Sequence, residues 1–213
     1  MGTPKKESVV RRRQIAQAAL ALVARQGFPG LTMAGIADQI GLVPSALYRH
    51  FKSKDEVIDA ILELIREQLL ENVRLARSET ADPLARLHRL LQRHLDFIGA
   101  HPGILPVVFS QEVMGGPPPR RSQVYGLIKA YLEEVANLVG QGQGQGIIRA
   151  ELAPEAVAVA FLGLIQPAAI LWHLSGGEFP VWAEVEKMWQ IFAAGISSAN
   201  YHPNRQEQTH ETA

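Results

Sequence analysis

The stretch GLVPSALYRHFKSK, residues 41–54, decides the fold that this chain is expected to adopt. Gly41 can take a positive φ in a tight turn, and Pro44 suits the first position of a helix, where its missing N–H group costs nothing. Leu47 and Phe51 would anchor that helix on the helix before it. The stretch therefore predicts the second half of a helix-turn-helix, with cationic and aromatic side chains on its outer side.

The segments on either side complete a pattern of three helices followed by a long fourth one. Apolar residues at helical period over 9–26 predict a first helix, which Gly27 would end. Thr32 can cap a short second helix. The SKDE sequence at 53–56 is a capping box, so a fourth helix is expected from there to about residue 78.

The outer side of the third helix carries residue types that suit the major groove of DNA, which a recognition helix enters by its N-terminal residues. The small side chains of Ser45 and Ala46 allow close approach to base edges, a thymine methyl group could pack on Ala46, and Arg49 could reach a guanine. The residues predicted to face outward are Pro44, Ser45, Ala46, Tyr48, Arg49 and His50.

Neighbouring groups suit phosphate contacts, which fix the register of a protein on DNA without reading its sequence. These are the Thr32 hydroxyl, Tyr48 and Lys54. The N-termini of the helices that follow Thr32 and Ser53 add positive dipole ends for the same phosphates.

The charge distribution agrees with a polyanionic partner, although the formal net charge of the 213-residue chain is zero. Residues 1–54 carry nine Lys/Arg against two Asp/Glu, a net charge of +7, and the remainder has a net charge of −7. A basic tail kept soluble by its charge is the alternative. The absence of cysteine excludes disulfides and thiolate metal sites, and fits a reducing cytoplasm.

These features occur in a demanding order: a basic first helix, Gly27-Phe28, Leu31-Thr32, Ile36-Ala37, Gly41 and finally LYRHFKSKDEV at 47–57. From about residue 15 to 61 this order closely resembles the DNA-binding domain of TetR-family transcriptional regulators. Many members of that family have Ser or Thr where this chain has Val43, so a side-chain cap of the third helix is lost here.

The resemblance implies an all-α homodimer, with an N-terminal three-helix helix-turn-helix DNA-binding domain joined to a larger helical domain that dimerises and binds a small effector. It also implies that Thr32, Tyr48 and Lys54 contact phosphates. The residues that it implies to face the groove are Pro44, Ser45, Ala46 and Arg49.

Three regions are expected on this basis: a DNA-binding domain with a basic N-terminal arm at 1–54, a ligand-binding and dimerisation domain at 55–200, and a polar tail at 201–213. The further helices are predicted at 84–100, 102–112, 120–145, 154–175 and 181–199. The QGQGQG run at 141–146 is either a flexible linker or the weak C-terminal end of a helix, and the helix end is favoured because the run is too short to separate domains.

The helix at 154–175 is long and apolar enough to raise the question of a membrane span. Gln166-Pro167 interrupts its apolar run, and there is no clear excess of positive charge on one side. We expect instead a helix buried between its own core and a partner subunit, with the dimer interface formed by 154–175 and 181–199. Neither a membrane partner nor an export signal is predicted, so the expected location is cytoplasmic.

An effector pocket lined by aromatic residues and a few polar groups is expected in the larger domain, although each such residue taken singly fits ordinary core packing equally well. The candidates are Phe97, Phe109, Met114, Tyr125, Tyr131, Phe161, Gln166, Trp172 and His173.

No metal, cofactor or catalytic activity is predicted. His88, His94 and His101 lack the i, i+4 spacing of a metal-binding pair and are expected on a surface. The leading interpretation is a ligand-responsive repressor that binds a palindromic operator as a dimer. The alternative is a helical small-molecule binding protein or enzyme whose N-terminal hairpin binds a protein partner.

Overall fold

The computed structural model describes residues 4–199, and over that range it contains ten α-helices and no β-strand. The expected all-α fold is confirmed, whereas the predicted tail at 201–213 lies outside the described residues. The helices are α1 (Pro4–Gln26), α2 (Met33–Gln39), α3 (Pro44–Tyr48), α4 (Lys54–Glu79), α5 (Pro83–Ala100), α6 (Ile104–Val108), α7 (Gln111–Met114), α8 (Pro118–Gly144), α9 (Pro154–Leu174) and α10 (Val181–Ile196).

The predicted turn between α2 and α3 is present. Gly41 has a φ of +65°, a region that favours glycine because a Cβ atom is strained there. The Leu42 N–H donates to the Ala37 carbonyl at 2.8 Å and closes the turn. Leu47 and Phe51 are fully buried, so they anchor α3 on the rest of the N-terminal domain as expected.

The third helix is shorter than predicted, because α3 ends at Tyr48 and not near Phe51. The capping box that starts α4 is confirmed: Ser53 Oγ accepts from the Glu56 N–H at 3.3 Å, and the Glu56 carboxylate accepts from the Lys52 N–H at 2.9 Å. From this start α4 continues for 26 residues.

In the larger domain, α4 packs against α5 and α8, while α9 packs against α8 and α10. The single helix expected at 102–112 is two helices, α6 and α7. The break follows from Ser110, whose Oγ accepts from the Val113 N–H at 3.2 Å and so caps a new helix.

The glycine- and glutamine-rich run ends a helix, as favoured from the sequence. Helix α8 continues through Gly144, and the chain leaves it at Gly146, where φ is +69°. This run therefore does not separate two domains.

Helix α9 is long and apolar enough to cross a membrane by length and composition, but only 33% of its most apolar window is buried within the chain. Val157, Phe161 and Ile165 are buried on one side, whereas Val159 and Leu174 are exposed on another. One face of α9 is thus buried in the core of its own chain, as predicted, whereas the other face is exposed to solvent in the single chain.

Gly103, which precedes α6, brings the larger domain against the first helix of the DNA-binding domain. A Cβ atom at Gly103 would lie 2.2 Å from the carbonyl oxygen of Leu20 in α1. Real Cβ atoms do not approach backbone so closely, so this contact between the two domains requires glycine.

We therefore expect Gly103→Ala to lower the free energy of unfolding by about 1–3 kcal/mol, because the added methyl group forces α1 and α6 apart. The matched control is Gly126→Ala in α8, where a Cβ would meet no atom within 4 Å. That change should raise stability by about 0.5–1 kcal/mol through helix propensity alone. Urea unfolding measures both, and a stabilising Gly103→Ala would contradict the close approach.

Candidate nucleic-acid interface and effector cavity

The outer side of α3 exposes most of the residues predicted to face DNA. Pro44, Ser45 and Arg49 are exposed, Tyr48 has 51% of its surface accessible, and His50 is partly exposed. Tyr48 and Arg49 follow Pro44 and Ser45 at a spacing of four residues, which places these side chains on one face of the helix.

The prediction is wrong for Ala46, which is only 7% exposed. Ala46 and the neighbouring Leu47 are both on the buried side of α3. Helix α3 packs on α2, and Ala46 is buried in the N-terminal domain and does not face outward as expected.

Two of the side chains predicted to contact phosphates are held in position by neighbouring groups. Thr32 is exposed, and its Oγ accepts from the Gly35 N–H at 3.0 Å, which leaves the hydroxyl proton available for donation. The Lys54 ammonium lies 4.6 Å from the centroid of the Phe28 ring, a cation–π contact that positions the charge at the N-terminus of α4.

Arg12 supports this surface from behind, a role that the sequence analysis missed. Its guanidinium group lies 4.0 Å above the Phe51 ring and donates to the His50 carbonyl just after α3. The sequence shows only that residues 11–13 are basic, because the pairing spans 38 positions along the chain. Arg12 therefore fixes the end of the recognition helix on α1.

A second arginine, Arg120 at the start of α8, joins the larger domain to the beginning of α4. Arg120 Nε donates to Asp59 Oδ1 at 3.0 Å, and Nη2 donates to Asp55 Oδ1 at 2.9 Å. Nη1 also donates to the Glu112 carbonyl at 3.2 Å. Burial of the guanidinium opposes its charge, but the hydrogen bonds that it donates to Asp59 and Asp55, together with the attraction of the two carboxylates, outweigh that effect and raise the pKa of Arg120.

A cavity of about 90 Å³ lies within the larger domain, between α4, α5, α8 and α9, with residues 104–109 closing one end. Helix α4 contributes Leu62, Ile65 and Leu69 to its wall. Four of the residues predicted for an effector pocket do line it, namely Phe97, Phe109, Tyr131 and Gln166.

The other five predicted pocket residues do not line this cavity: Met114, Tyr125 and His173 are exposed, and Phe161 and Trp172 face other side chains. Phe161 packs against Phe192 with ring centroids 6.1 Å apart, and Trp172 meets Trp182 edge-on at 6.3 Å. Aromatic character identified most of these residues, and the packing of α9 on α10 accounts for the orientation of Phe161 and Trp172.

The most polar feature of the cavity wall is a buried pair, His94 and Tyr131, with His94 Nδ1 3.0 Å from the Tyr131 hydroxyl. Burial lowers the pKa of His94 from 6.5 to about 4, and burial raises the pKa of Tyr131 above its ordinary value of 10. Both groups are therefore neutral at pH 7. The prediction that His94 lies on a surface is wrong, because its face of α5 packs against α8.

The other two histidines of this region also have structural partners. His88 stacks on Trp189 at 4.9 Å, and its Nε2 lies 2.8 Å from Glu186 Oε2. His101 Nδ1 lies 3.0 Å from the Phe97 carbonyl. No cluster of His, Cys, Asp and Glu that could hold a metal ion occurs within residues 4–199.

Two family models match the chain in the arrangement that the structure shows. Residues 15–61 match the model for bacterial regulatory proteins of the TetR family, and residues 80–196 match the model for the tetracyclin repressor-like C-terminal domain. The first range covers the second half of α1, then α2, α3 and the start of α4, and the second covers α5 to α10.

Comparison with individual proteins agrees with the two family models. The nucleoid occlusion factor SlmA of Shewanella halifaxensis is 31% identical over 155 residues, which cover 70% of this chain and 79% of that protein. The ketosteroid transcriptional regulator KstR2 of Mycobacterium tuberculosis superposes with a TM-score of 0.67 at 25% identity, over 88% of this chain and 95% of that one. FadR from Bacillus subtilis, solved with stearoyl-CoA, shares the fold with a TM-score of 0.74 at 20% identity, over 86% and 98%.

The helix-turn-helix, its exposed cationic face and the larger helical domain define a DNA-binding regulator of transcription. The chain belongs to the TetR family of bacterial regulatory proteins. Members of this family are soluble, generally non-enzymatic proteins that bind DNA operators as dimers and respond to small-molecule effectors.

The buried His94 predicts a pH-dependent stability. Its folded pKa of about 4 lies below the 6.5 of the unfolded chain, so between these values the unfolded state binds more protons and stability falls as the pH falls. We expect this group to remove about 2 kcal/mol of the free energy of unfolding between pH 7.5 and pH 5. Urea unfolding at the two pH values measures it.

The His94→Gln variant should lose that part of the pH dependence, because a glutamine does not titrate. The control is His173→Gln, which changes an exposed histidine outside the cavity and should keep the wild-type dependence. An unchanged pH dependence in His94→Gln would show that His94 is not held neutral by burial.

Proposed function

We propose that this chain is a cytoplasmic, ligand-responsive repressor that binds a palindromic operator as a dimer and catalyses no reaction. The observation that carries the proposal is the course of α4. This one helix starts at Lys54 beside the DNA-binding face and runs to the cavity wall at Leu62, Ile65 and Leu69. At 1.5 Å per residue, Lys54 and Leu62 are separated by only about 12 Å of helix.

The roles of the DNA-facing residues follow from exposure and chemistry. We propose that Thr32, Tyr48 and Lys54 contact phosphates, and that Ser45 and Arg49 meet base edges, because none of these side chains is buried. Pro44 and His50 border the same surface. The two recognition helices of the dimer would have to lie about 34–36 Å apart, one turn of DNA, to read a palindrome.

The division of the chain is proposed as a DNA-binding domain at 1–54 and a ligand-binding and dimerisation domain at 55–200. Helix α1 packs along α4 and against α6, and this packing joins the two domains. Two further contacts hold the junction: Gly103 packs against the backbone of α1, and Arg120 holds Asp55 and Asp59 in the first turns of α4, directly after the DNA-binding domain.

The two contacts make the cavity and the DNA-binding face mechanically continuous. A ligand that enlarges a 90 Å³ cavity displaces its walls, and those walls include α4 and α6. The dimer would have one conformer whose recognition helices match the operator and another whose helices do not. A ligand that binds more tightly to the second conformer lowers the affinity of the dimer for DNA, at most by the ratio of its affinities for the two conformers.

The dimer interface is proposed on the open faces of α9 and α10. Several large apolar side chains are exposed there in the single chain, namely Val159, Ile170, Leu171, Leu174, Trp182 and Ile191. An apolar face of this kind is typical of a subunit interface, and two copies of a helix pair form a four-helix bundle.

A second candidate role is suggested by the curated relatives, which are nucleoid occlusion factors. For a protein that acts on the whole nucleoid we expect many dispersed sites, whereas a repressor needs sites only at the promoters that it controls. Mapping of occupied sites in cells separates the two: a few sites that overlap promoters support repression, and many dispersed sites support the second role.

The DNA-binding surface is tested after selecting bound sequences from random duplexes. We expect Lys54→Met to weaken binding to all sequences and to make the slope of log K against log salt shallower by about 2 per dimer, because two phosphate contacts are lost. Lys129→Met, which removes an exposed lysine of α8, is the control and should leave the slope unchanged.

Arg49→Ala should instead cost about 1–3 kcal/mol on the selected sequence for each half-site while leaving non-specific binding nearly unchanged. Fluorescence anisotropy titrations measure both variants. A wild-type slope for Lys54→Met would remove its phosphate role, and unchanged sequence preference in Arg49→Ala would remove its role in base recognition.

The dimer is tested by charge. Ile191 is 76% exposed in the single chain, so Ile191→Glu should fold normally, but it would bury two carboxylates in the interface. Sedimentation analysis at micromolar concentration should show a dimer for the wild type and a monomer for this variant. Met114→Glu, also at an exposed apolar position, is the control and should stay dimeric. A monomeric wild type would contradict the proposal.

A further inference from the structure

The cavity wall contains no ionisable carboxylate, ammonium or guanidinium group among the residues that the structure describes. Its polar side chains are His94, Tyr131 and Gln166, and the rest of the wall is aliphatic or phenylalanine. Gln166 is exposed on α9, so it stands at the edge of the cavity. The polar groups of the interior are therefore the single pair formed by His94 and Tyr131.

This pair keeps hydrogen-bonding capacity that its internal bond does not use. If the Tyr131 hydroxyl donates to His94 Nδ1, then Nε2–H is an unused donor and the phenol oxygen has a free lone pair. If Nδ1–H donates instead, then the Tyr131 hydroxyl proton is free and Nε2 is an unused acceptor. In both tautomers one donor and one acceptor remain, and no other described group bonds to either side chain.

The same pair offers no compensating charge. Burial keeps both His94 and Tyr131 neutral near pH 7. A carboxylate placed between these walls would lose its hydration without gaining a cationic partner, which costs several kcal/mol. A ketone or an alcohol of the same length loses far less, because one neutral hydrogen bond replaces the one it made to water.

We propose that the cavity takes an uncharged, mainly apolar molecule whose carbonyl or hydroxyl group bonds to the His94–Tyr131 pair. The inference rests on the proposed ligand-responsive function and deepens it by naming the chemical class of the effector. The walls supplied by α4 and α6 contribute apolar contact to the rest of the molecule, so the part of the ligand that pushes on the DNA-binding domain is its hydrocarbon.

Isothermal titration with three probes of equal chain length tests the class: decan-2-one, decan-1-ol and decanoate, each titrated into the full-length protein at pH 7.5. We expect the ketone and the alcohol to bind, and decanoate to bind at least about 10-fold more weakly, which corresponds to about 1.4 kcal/mol. Decanoate binding as tightly as the ketone would overturn the proposal, and so would the failure of all three probes to bind.

Variants test whether the pair is the recognition group. Tyr131→Phe keeps the shape of the side chain and should lower the affinity for decan-2-one by about 5- to 10-fold, since one hydrogen bond to the ligand is lost or left misaligned. Tyr125→Phe is the matched control, because it removes a hydroxyl from the same helix at a position 69% exposed, and its affinity should equal that of the wild type.

If Tyr131→Phe unfolds below the assay temperature, His94→Gln supplies the same comparison, since glutamine is neutral and can still bond to Tyr131. Equal affinity of wild type and either folded variant for decan-2-one would exclude the pair as the recognition group. The DNA-binding titrations test the proposed function separately. If the wild type binds no DNA, the proposed function is contradicted, but the order of the affinities for the three probes is not affected.

Discussion

Arg120 holds the first turns of α4, which continue directly from the DNA-binding domain, against the start of α8. The Arg120 side chain is 6% exposed, whereas the side chains of its partners Asp55 and Asp59 are 71% and 47% exposed. The guanidinium group is therefore shielded from water, and the two carboxylates stay largely hydrated. Burial of the cation removes part of the stability that these hydrogen bonds and ion pairs supply. Their geometry is the more important consequence: two carboxylates one turn apart bind one guanidinium, which fixes the axial position of α4 against α8.

The position of α4 matters because the helix has functional groups at both ends of one short stretch. Lys54 lies over the Phe28 ring beside the exposed face of α3, and Leu62 already forms part of the cavity wall. A helix resists bending over two turns, so a displacement of its wall residues also moves its N-terminal end, where Lys54 lies. The contact between Gly103 and α1 adds a second connection, in which α6 forms both a cavity wall and a support for the DNA-binding domain.

The apolar character of the larger domain has two separate consequences. Inward-facing residues of α9 complete a cavity in which the interior polar side chains, among residues 4–199, are the neutral His94 and Tyr131. The proposal of an uncharged ligand rests on this. Outward-facing residues of α9 and α10 leave an apolar surface open, and a second copy of the chain would cover it. Helix α9 has the length and composition of a membrane span. Its residues instead contribute to the core, to the cavity wall and to the proposed subunit interface.

The sequence by itself determined the helical architecture, the helix-turn-helix and most of its outer face. Local signals sufficed there: the Gly41 turn, Pro44 at a helix start and the SKDE capping box act between residues only a few positions apart. Only the tertiary structure decided that Ala46 faces inward, that Arg12 and Arg120 hold distant backbone and carboxylate groups, and which aromatic residues face a cavity. Those outcomes depend on which neighbouring element each helix face packs against. Helical periodicity shows which residues share a face, but it does not show what lies opposite that face.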